Sequence, residues 1–531
     1  MSDDSASGFA PLRQRTFAVL WAATVLGNTG TFMRDVASAW MVTELSPSAT
    51  AVALIQTAAT LPVFLLAIPA GVLSDLLDRR RFLIAVQLML ALVSLTLSAL
   101  TASGHLTVPA LVALTFAGGA GMALISPSWQ AIVPELVPRR DLREAVALNS
   151  LGFNIARAIG PALGGALLLA FGAALTYAVD VLSYAAVIAA LLWWRRAPSE
   201  QALPEHFGGA FRAGMRYVRA SPALHIVLLR VALFFVFASA IWALLPLVAR
   251  QLLGGGAGFY GLLLGAIGLG AIAGAVWMPR IRHRLGIERL LLGAAWLVAA
   301  VIATLTLRPP PLVAVVLLFA MGGAWIAALT TLNGIAQSVL PNWVRGRGLA
   351  VYLTVFNGAM AIGSFGWGIV AQHFGLTAAL LAATLGLVAV ALLALRWRLP
   401  SGDVDLQAAH HWAEPALAAP VEHERGPVLV QIEYRVDTAD RAAFHSMARE
   451  LSWARRRDGA YLWGLSEDTA DPQRIVEWFF VESWVEHLRQ HQRVSNADAD
   501  LQRGALRFHR GSEPPLVRHL LALDARSLPP S

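Results

Sequence analysis

Twelve long apolar segments dominate this sequence of 531 residues and leave little choice of fold. A helix needs about 20 mostly apolar residues to cross a bilayer, where its backbone polar groups must be satisfied within the helix. The segments lie near 17–42, 49–73, 82–102, 108–132, 146–170, 174–194, 223–248, 257–279, 289–307, 312–336, 348–371 and 376–396. The sequence therefore predicts an α-helical membrane protein with 12 transmembrane helices, six on each side of a longer break.

Composition agrees with this assignment and divides the chain into two parts. Hydrophobic residues make up 57% of the chain and charged residues 14%, against about 25% charged in an average globular protein. Residues 1–398 hold 26 Arg and 13 acids, whereas residues 399–531 hold 15 Arg and 20 acids. A basic membrane part thus precedes an acidic tail, and its loop arginines favour lipid over nucleic acid as partner. The absence of cysteine excludes disulfides and thiolate metal sites.

The arginines of the short loops predict the orientation of the chain. Cytoplasmic loops of membrane proteins carry an excess of basic residues. The loops after odd-numbered segments contain only Arg250 and Arg308. The loops after segments two, four, eight and ten contain twelve arginines: Arg79, Arg80, Arg81, Arg139, Arg140, Arg143, Arg280, Arg282, Arg284, Arg289, Arg345 and Arg347. We therefore expect both termini to be cytoplasmic.

The same reading divides the chain into six regions. The first 16 residues and the central loop 195–222 are expected to be cytoplasmic. The membrane halves cover 17–194 and 223–398, and a linker at 399–426 leads to a cytoplasmic domain at 427–525.

The two membrane halves repeat each other. Two groups of residues recur in the same order at offsets of 207 and 203: Gln130, Pro134, Val137 and Arg140 as Gln337, Pro341, Val344 and Arg347, and Gly71, Arg79 and Arg81 as Gly274, Arg282 and Arg284. Parallel six-helix repeats are typical of transporters whose substrate site lies at the midplane between the halves.

The stretch "GVLSDLLDRRR" (71–81) carries a family resemblance. Gly71, Asp75, Arg79 and Arg80 match the loop 2–3 signature of the major facilitator superfamily, with Asp78 where that family usually has glycine. The resemblance implies a gate that latches the cytoplasmic side closed. The alternative is a topology anchor with a solvated Asp75–Arg79 pair, which would contribute little stability.

Two further stretches resemble exporters of that superfamily. In "ARAIGPALGGALL" (156–168), the residues Gly160, Pro161, Gly164 and Gly165 resemble the antiporter signature of the fifth helix, although Ala156 replaces its first glycine. Residues 126–150 resemble the branch of bacterial siderophore and drug exporters known as transmembrane secretion effectors. The resemblance implies a multi-pass protein of the bacterial inner membrane. Without it, small residues four apart would indicate only close helix packing.

Charged residues inside the apolar segments are candidate transport residues, because a charge near the bilayer centre is costly. Asp35 and Asp180 are candidate proton carriers, and Arg157 is the candidate partner of either acid. Further polar candidates for a substrate cavity are Asn28, Arg34, Asn154 and Arg230. Arg34 and Asp35 are adjacent and so point about 100° apart on a helix. The alternative is that Arg157 forms a static ion pair and that Arg230 extends to the membrane surface.

The pattern of the tail predicts a small α+β domain. Residues 428–436, 460–465, 474–483 and 516–523 read as strands, and 437–457 and 483–494 as helices. The order β-α-β-β-α-β is ferredoxin-like. The segment resembles the dimeric α/β-barrel domains of antibiotic-biosynthesis monooxygenases, which implies dimerisation through the tail. The residues Trp463, Trp478, Trp484, His487 and His491 either line a pocket or belong to the core or a dimer interface.

Three functions remain open at this point. The first is a proton-coupled exporter of small molecules such as siderophores or drugs, the second an ion-coupled importer on the same fold, and the third a membrane-anchored enzyme or ligand-sensing scaffold acting through the tail. The glycines of "GLLLGAIGLGAIAG" (261–274) lie in an apolar segment rather than in a phosphate-binding loop. We therefore expect an ion gradient as energy source and neither a cofactor nor a metal site.

Overall fold

The computed structural model describes residues 9–194, 207–341, 343–400, 421–422 and 425–523. The chain forms two compact units. The first comprises Met1–Glu200, Leu229–Asn333 and Leu353–Arg398, and the second Gln201–Leu228, Gly334–Tyr352 and Leu399–Ser531. The tail therefore shares a unit with the central loop and with the segment between the tenth and eleventh apolar segments.

Each predicted apolar segment is helical. The helices before the central loop are α1 (Arg15–Leu45), α2 (Ala49–Leu76), α3 (Arg79–Ala102), α4 (Val108–Leu136) and α5 (Leu142–Trp193). The amphipathic α6 (Phe207–Arg219) follows in the second unit. The remaining ones are α7 (Pro222–Leu247), α8 (Ala257–Leu285), α9 (Ile287–Leu305), α10 (Pro311–Ser338), α11 (Arg345–Phe374) and α12 (Leu376–Ala394).

Ten of the described helices are long and apolar enough to cross a membrane. Helix α1, which carries Arg34 and Asp35 in its middle, is not among them. Helix α5 counts once, although it covers the fifth and sixth predicted segments. Gly172 interrupts α5 with φ of 80° and ψ of 175°, a backbone conformation open mainly to glycine.

The tail contains a four-stranded antiparallel sheet in the order β2-β3-β1-β4. Its strands are β1 (Val428–Arg435), β2 (Ala460–Glu467), β3 (Arg474–Val481) and β4 (Leu516–Leu521). Its helices are α13 (Arg441–Asp458), α14 (Trp484–Arg493) and α15 (Asn496–Leu506). Helix α15 is absent from the predicted elements, although Ser495 and Asp498 form a capping box at its start.

One face of the sheet carries the core of the tail. Alternate residues of β1 are buried there and pack against side chains of the helices, including Phe444 of α13 and Trp484 of α14. This core also contains an ion pair, with Arg455 Nε lying 3.1 Å from Glu477 Oε1. Tyr434 and Trp463 donate further hydrogen bonds to Glu477. The buried carboxylate is thus fully surrounded by donors, as burial of a charge requires.

Small residues bring three membrane helices into backbone contact. A Cβ atom added at Gly165 would lie 2.6 Å from the Cα of Gly261 in α8, and one at Gly164 would lie 2.8 Å from the Cα of Met33 in α1. Neither backbone can move aside as a flexible side chain would. Helix α5 therefore packs closely on α8 and α1 through two residues of the predicted antiporter motif.

We expect Gly165→Ala to destabilise the protein by about 1–3 kcal/mol, because the new methyl group would force α5 and α8 apart. The measurement is the midpoint of thermal unfolding of the purified full-length protein in detergent. The matched control is Gly293→Ala in α9, where an added Cβ would have no atom within 4 Å. Equal midpoints for the two variants would contradict the close approach of α5 and α8.

Candidate functional site

A cavity of about 430 Å³ lies within the first unit, between helices of the two repeats. Its lining is mostly apolar and aromatic, with a few polar side chains, which is the usual character of a small-molecule site. The lining residues that bear on binding are Phe32, Asp35, Ser38, Gln56, Thr60, Thr115, Phe153, Arg157, Pro161, Trp242, Tyr260, Trp325, Phe356, Asn357 and Met360.

Asp35 and Arg157 are the charged residues of this lining. The Asp35 side chain is 46% exposed and so reaches open space in the cavity. Within the described part of the chain, no acid lies within ion-pair distance of Arg157. The structure thus brings both predicted residues to one cavity without pairing them.

Arg34, rather than Arg157, connects the two predicted acids. Its Nη2 donates to Asp35 Oδ1 at 3.1 Å, and its Nη1 lies 3.8 Å from Asp180 Oδ2. Adjacent residues on a helix diverge at Cβ, but the long arginine side chain bends back to its neighbour. The buried Asp180 also accepts a hydrogen bond of 2.6 Å from Ser94 of α3. Asp180 is therefore held across helices, behind the cavity.

The cavity lining does not include the other predicted polar candidates. Asn154 donates to the backbone of Ser150 within its own helix. Arg230 pairs with Glu288 at 2.7 Å and donates to the carbonyls of Ala394, the last residue of α12, and of Trp397 beyond it. Asn28 is half-buried on α1. Arg230 thus caps a helix end, which is a common role for arginine near a helix C-terminus.

Three buried donors of the lining have no hydrogen-bond partner among the described residues: Thr115 Oγ1, Trp242 Nε1 and Trp325 Nε1. The two indole rings lie 5.2 Å apart between centroids. A buried donor without a partner is unfavourable, and a ligand that supplies an acceptor relieves the penalty. The sequence analysis missed these residues, because tryptophans in apolar segments give no signal that separates a site from a core.

Part of the predicted gate motif is described. The surroundings of Gly71 and the side chain of Asp75 lie outside what the structure describes. Arg79 pairs with Glu135 of α4 at 2.9 Å, and Arg80 donates to the carbonyls of Leu191 and Leu192 at the end of α5. These two arginines therefore tie the start of α3 to other helices of the same half.

Asp78, which departs from the family signature, has a local role at the same place. Its carboxylate accepts from the backbone N–H of Arg81 at 2.9 Å and caps α3. Aspartate is a favoured residue at a helix N-cap.

Within the second unit, the tail is tied to α6 by ion pairs. Arg216 of α6 bonds Glu482 and lies 2.9 Å from Glu486 of α14. Burial alone would raise the pKa of Glu486, but Arg493, Arg216 and a third arginine hold it below its usual value. Arg493 also lies over the ring of Trp343, 4.5 Å from its centroid. The 334–352 segment thus contacts the same helix as α6.

The tail also brings together three histidines, where the sequence predicts no metal site. His487 and His491 of α14 and His519 of β4 have ring nitrogens within 4.8 Å of one another. Burial, together with the neighbouring rings of His519 and His491, lowers the pKa of His487 to about 3, so this imidazole is neutral. Sequence reasoning missed His519, because it lies 28 residues beyond His491 in the chain. The two histidines come close only because β4 pairs with β1 in the sheet.

The predicted pocket tryptophans of the tail are partly engaged elsewhere. Trp463 donates to Glu477 in the core, and Trp478 donates to Ser466 at 2.9 Å. Trp484 packs against the rings of His487 and His519, with centroids 5.5 Å and 6.1 Å away.

Several characterised transporters are similar to this chain in sequence. The staphyloferrin A transporter of Staphylococcus aureus is 22% identical over 65% of this chain and 87% of its own length. The multidrug efflux pump Tap of Mycobacterium tuberculosis is 26% identical over 74% of this chain and 97% of its own. The enterobactin exporter EntS of Escherichia coli is 28% identical over 52% and 66%, respectively.

Solved structures share the fold at lower identity. A D-xylose–proton symporter is 16% identical and superposes with a TM-score of 0.59, covering 72% of this chain and 98% of its own. A bacterial homologue of the iron transporter ferroportin, in its inward-facing state, is 16% identical with a TM-score of 0.56 and covers 71% and 98%.

The family match extends over nearly the whole sequence. Residues 6–528 match the transmembrane secretion effectors, so the match includes the tail as well as both membrane halves. The chain belongs to the transmembrane secretion effector family of multi-pass membrane transporters.

Proposed function

We propose that this protein exports small molecules across the bacterial inner membrane and that a proton gradient drives the export. The observation that carries the proposal is the cavity between the two repeats, in which Asp35 is exposed while its partner Arg34 is buried. Relatives named for siderophore and multidrug export support the direction of transport. The importer alternative uses the same fold but has less support from these relatives.

The cavity favours a substrate with aromatic or amphipathic character. Aromatic side chains from both repeats offer stacking surfaces. The indole donors of Trp242 and Trp325, which have no partner in the described part of the chain, suit an acceptor-rich molecule. Siderophores and macrolides are rich in oxygen acceptors and so meet the second of these conditions. A membrane-anchored enzyme is disfavoured by the match of the whole chain to a transporter family.

For coupling, the proposed proton carrier is Asp35, and Asp180 is the second acid that can pair with Arg34. A proton on Asp35 would remove one of the two negative charges that face Arg34, leaving its guanidinium to Asp180. The arginine side chain could then shift between two acids without ever being buried alone, which would be strongly unfavourable. Arg157 lines the same cavity, so the change of charge on Asp35 would alter its electrostatic environment.

Twelve spans and cytoplasmic termini complete the proposal. Ten helices are apolar enough to cross the membrane. Helix α1 adds one span, and the division of α5 at Gly172 into two spans adds another, which gives twelve. An even number of spans puts both ends on one side, and the loop arginines favour the cytoplasm.

For the tail, the antiparallel order β2-β3-β1-β4 supports a ferredoxin-like fold. Dimerisation through the tail stays a proposal.

A second role is proposed for the tail, as a restraint on the cytoplasmic segments. Its ion pairs reach α6 and its cation–π contact reaches Trp343. These segments lead directly into α7 and α11. A domain that holds them would bias the rearrangements on which transport depends.

We expect Asp35→Asn to abolish gradient-driven transport while substrate binding persists, because asparagine cannot carry the proton. The measurement is uptake of siderophores, macrolides and aromatic drugs into inside-out vesicles, with and without a proton gradient. The matched control is Glu44→Gln on the same helix, a residue outside the cavity lining that accepts from Trp40. Gradient-driven transport by Asp35→Asn at the rate of the control would refute the coupling role.

We expect Arg216→Ala to release α14 from α6, since two carboxylates would lose their shared partner. Hydrogen–deuterium exchange of the full-length protein should then increase in 207–219 and in 484–493. Because the pKa of Glu486 is lowered, the parent contact is complete at neutral pH and weakens only as acid protonates this carboxylate. Arg219→Ala, an exposed arginine of the same helix, serves as control. Unchanged exchange in Arg216→Ala would contradict the restraint.

A further inference from the structure

The three histidines of the tail form a compact cluster made by two different elements. His487 and His491 are one helical turn apart on α14, so their side chains project from the same face. His519 lies on β4, opposite Val430 of β1. Residues opposite each other on neighbouring strands share a face, and Val430 belongs to the buried face that the helices cover. The sheet register therefore directs His519 towards α14.

The distances within the cluster suit a common ligand. The Nε2 atoms of His487 and His491 are 3.2 Å apart. Two imidazole nitrogens bound at about 2.0–2.1 Å to one tetrahedral ion would lie about 3.4 Å apart. All three histidines offer nitrogens within 4.8 Å, so modest rotation of the third ring would complete the set.

The surroundings of His487 favour the ligating form of its ring. Gln490 Oε1 lies 3.3 Å from His487 Nδ1 and can accept its proton, which leaves the Nε2 lone pair available. Metal-bound histidines usually donate their other ring nitrogen to such a partner. Gln490 is fully buried, and its Nε2 has no partner among the described residues. Gln490 therefore orients the His487 ring through its Oε1 atom, although the amide nitrogen of Gln490 lacks a hydrogen-bond partner among the described residues.

We propose that His487, His491 and His519 bind one divalent transition-metal ion of the borderline class, such as Zn²⁺. Three imidazoles without a carboxylate disfavour Mg²⁺ and Ca²⁺, which prefer oxygen ligands. Three protein ligands also leave a fourth position for water or another small ligand. His491 and His519 are half-buried, and β4 is an edge strand, so an ion can enter from that side.

A hydrogen-bonded core without metal is the competing explanation. A bond between His487 and His491 accounts for one pair of rings, but it does not account for His519 in the same cluster. Zinc binding can be measured without the substrate cavity or a transport assay, so failure of the metal proposal and failure of the export proposal are distinguishable.

The test is zinc binding by the purified full-length protein, prepared with an affinity tag that lacks histidine. The starting protein carries His410→Ala and His411→Ala, since adjacent linker histidines could bind metal by themselves. We expect one Zn²⁺ per chain by elemental analysis after dialysis, and a rise in the thermal unfolding midpoint with added Zn²⁺. His519→Ala and His491→Ala should each weaken binding by about tenfold or more and remove that rise.

His445→Ala is the matched control, because His445 is an exposed histidine of the same domain. It should bind Zn²⁺ like the starting protein. Both half-buried ligands are tested, so misfolding of one variant does not decide the outcome, and the unfolding midpoint without metal reports folding directly. Equal zinc affinity in His519→Ala, His491→Ala and His445→Ala, or no zinc uptake by the starting protein, would overturn the proposal.

Discussion

Arg34 carries a positive charge into the apolar interior of the first half, where the residue is only 5% exposed. A charge buried without a partner would cost several kcal/mol, so the surrounding helices must supply acids and acceptors at fixed positions. Asp35, Asp180 and Tyr184 do so. Gly30 leaves the space, since a Cβ there would lie 2.6 Å from an oxygen of Asp180. The register between α1 and the part of α5 after Gly172 follows from this electrostatic requirement.

The same network links the protein interior to the cavity. Asp180 is fully buried, and Arg34 nearly so, but Asp35 has almost half its side chain exposed to the cavity. A change of charge on Asp35 therefore acts on Arg34 directly and on Asp180 through it. A substrate or proton that reaches Asp35 can in this way influence helix packing behind the cavity wall, without contacting those helices. In the proposed mechanism, such an arrangement would couple binding to rearrangement through the Arg34 side chain.

Hydropathy and glycine pattern were sufficient to predict the apolar helices and most elements of the tail, but not α6 within the predicted central loop or α15 in the tail. They could not pair charges across helices. Arg157 was the candidate partner of either Asp35 or Asp180, whereas Arg34 lies near both acids in the structure. Ser94 and His519 were missed for a related reason, since each meets its partners only through packing of elements distant in sequence.

Helix α14 joins the two features of the tail. One set of its residues, Glu486 and Arg493, contacts α6 and the 334–352 segment, and another, His487 and His491, belongs to the histidine cluster. The helix has only ten residues, so an ion that fixes one side necessarily restricts the other. By thermodynamic linkage, a metal that binds better when α14 is held by Arg216 also strengthens that contact by the same factor. Occupancy of the proposed metal site would then be transmitted to the segments that lead into α7 and α11, with no contact between the ion and the substrate cavity.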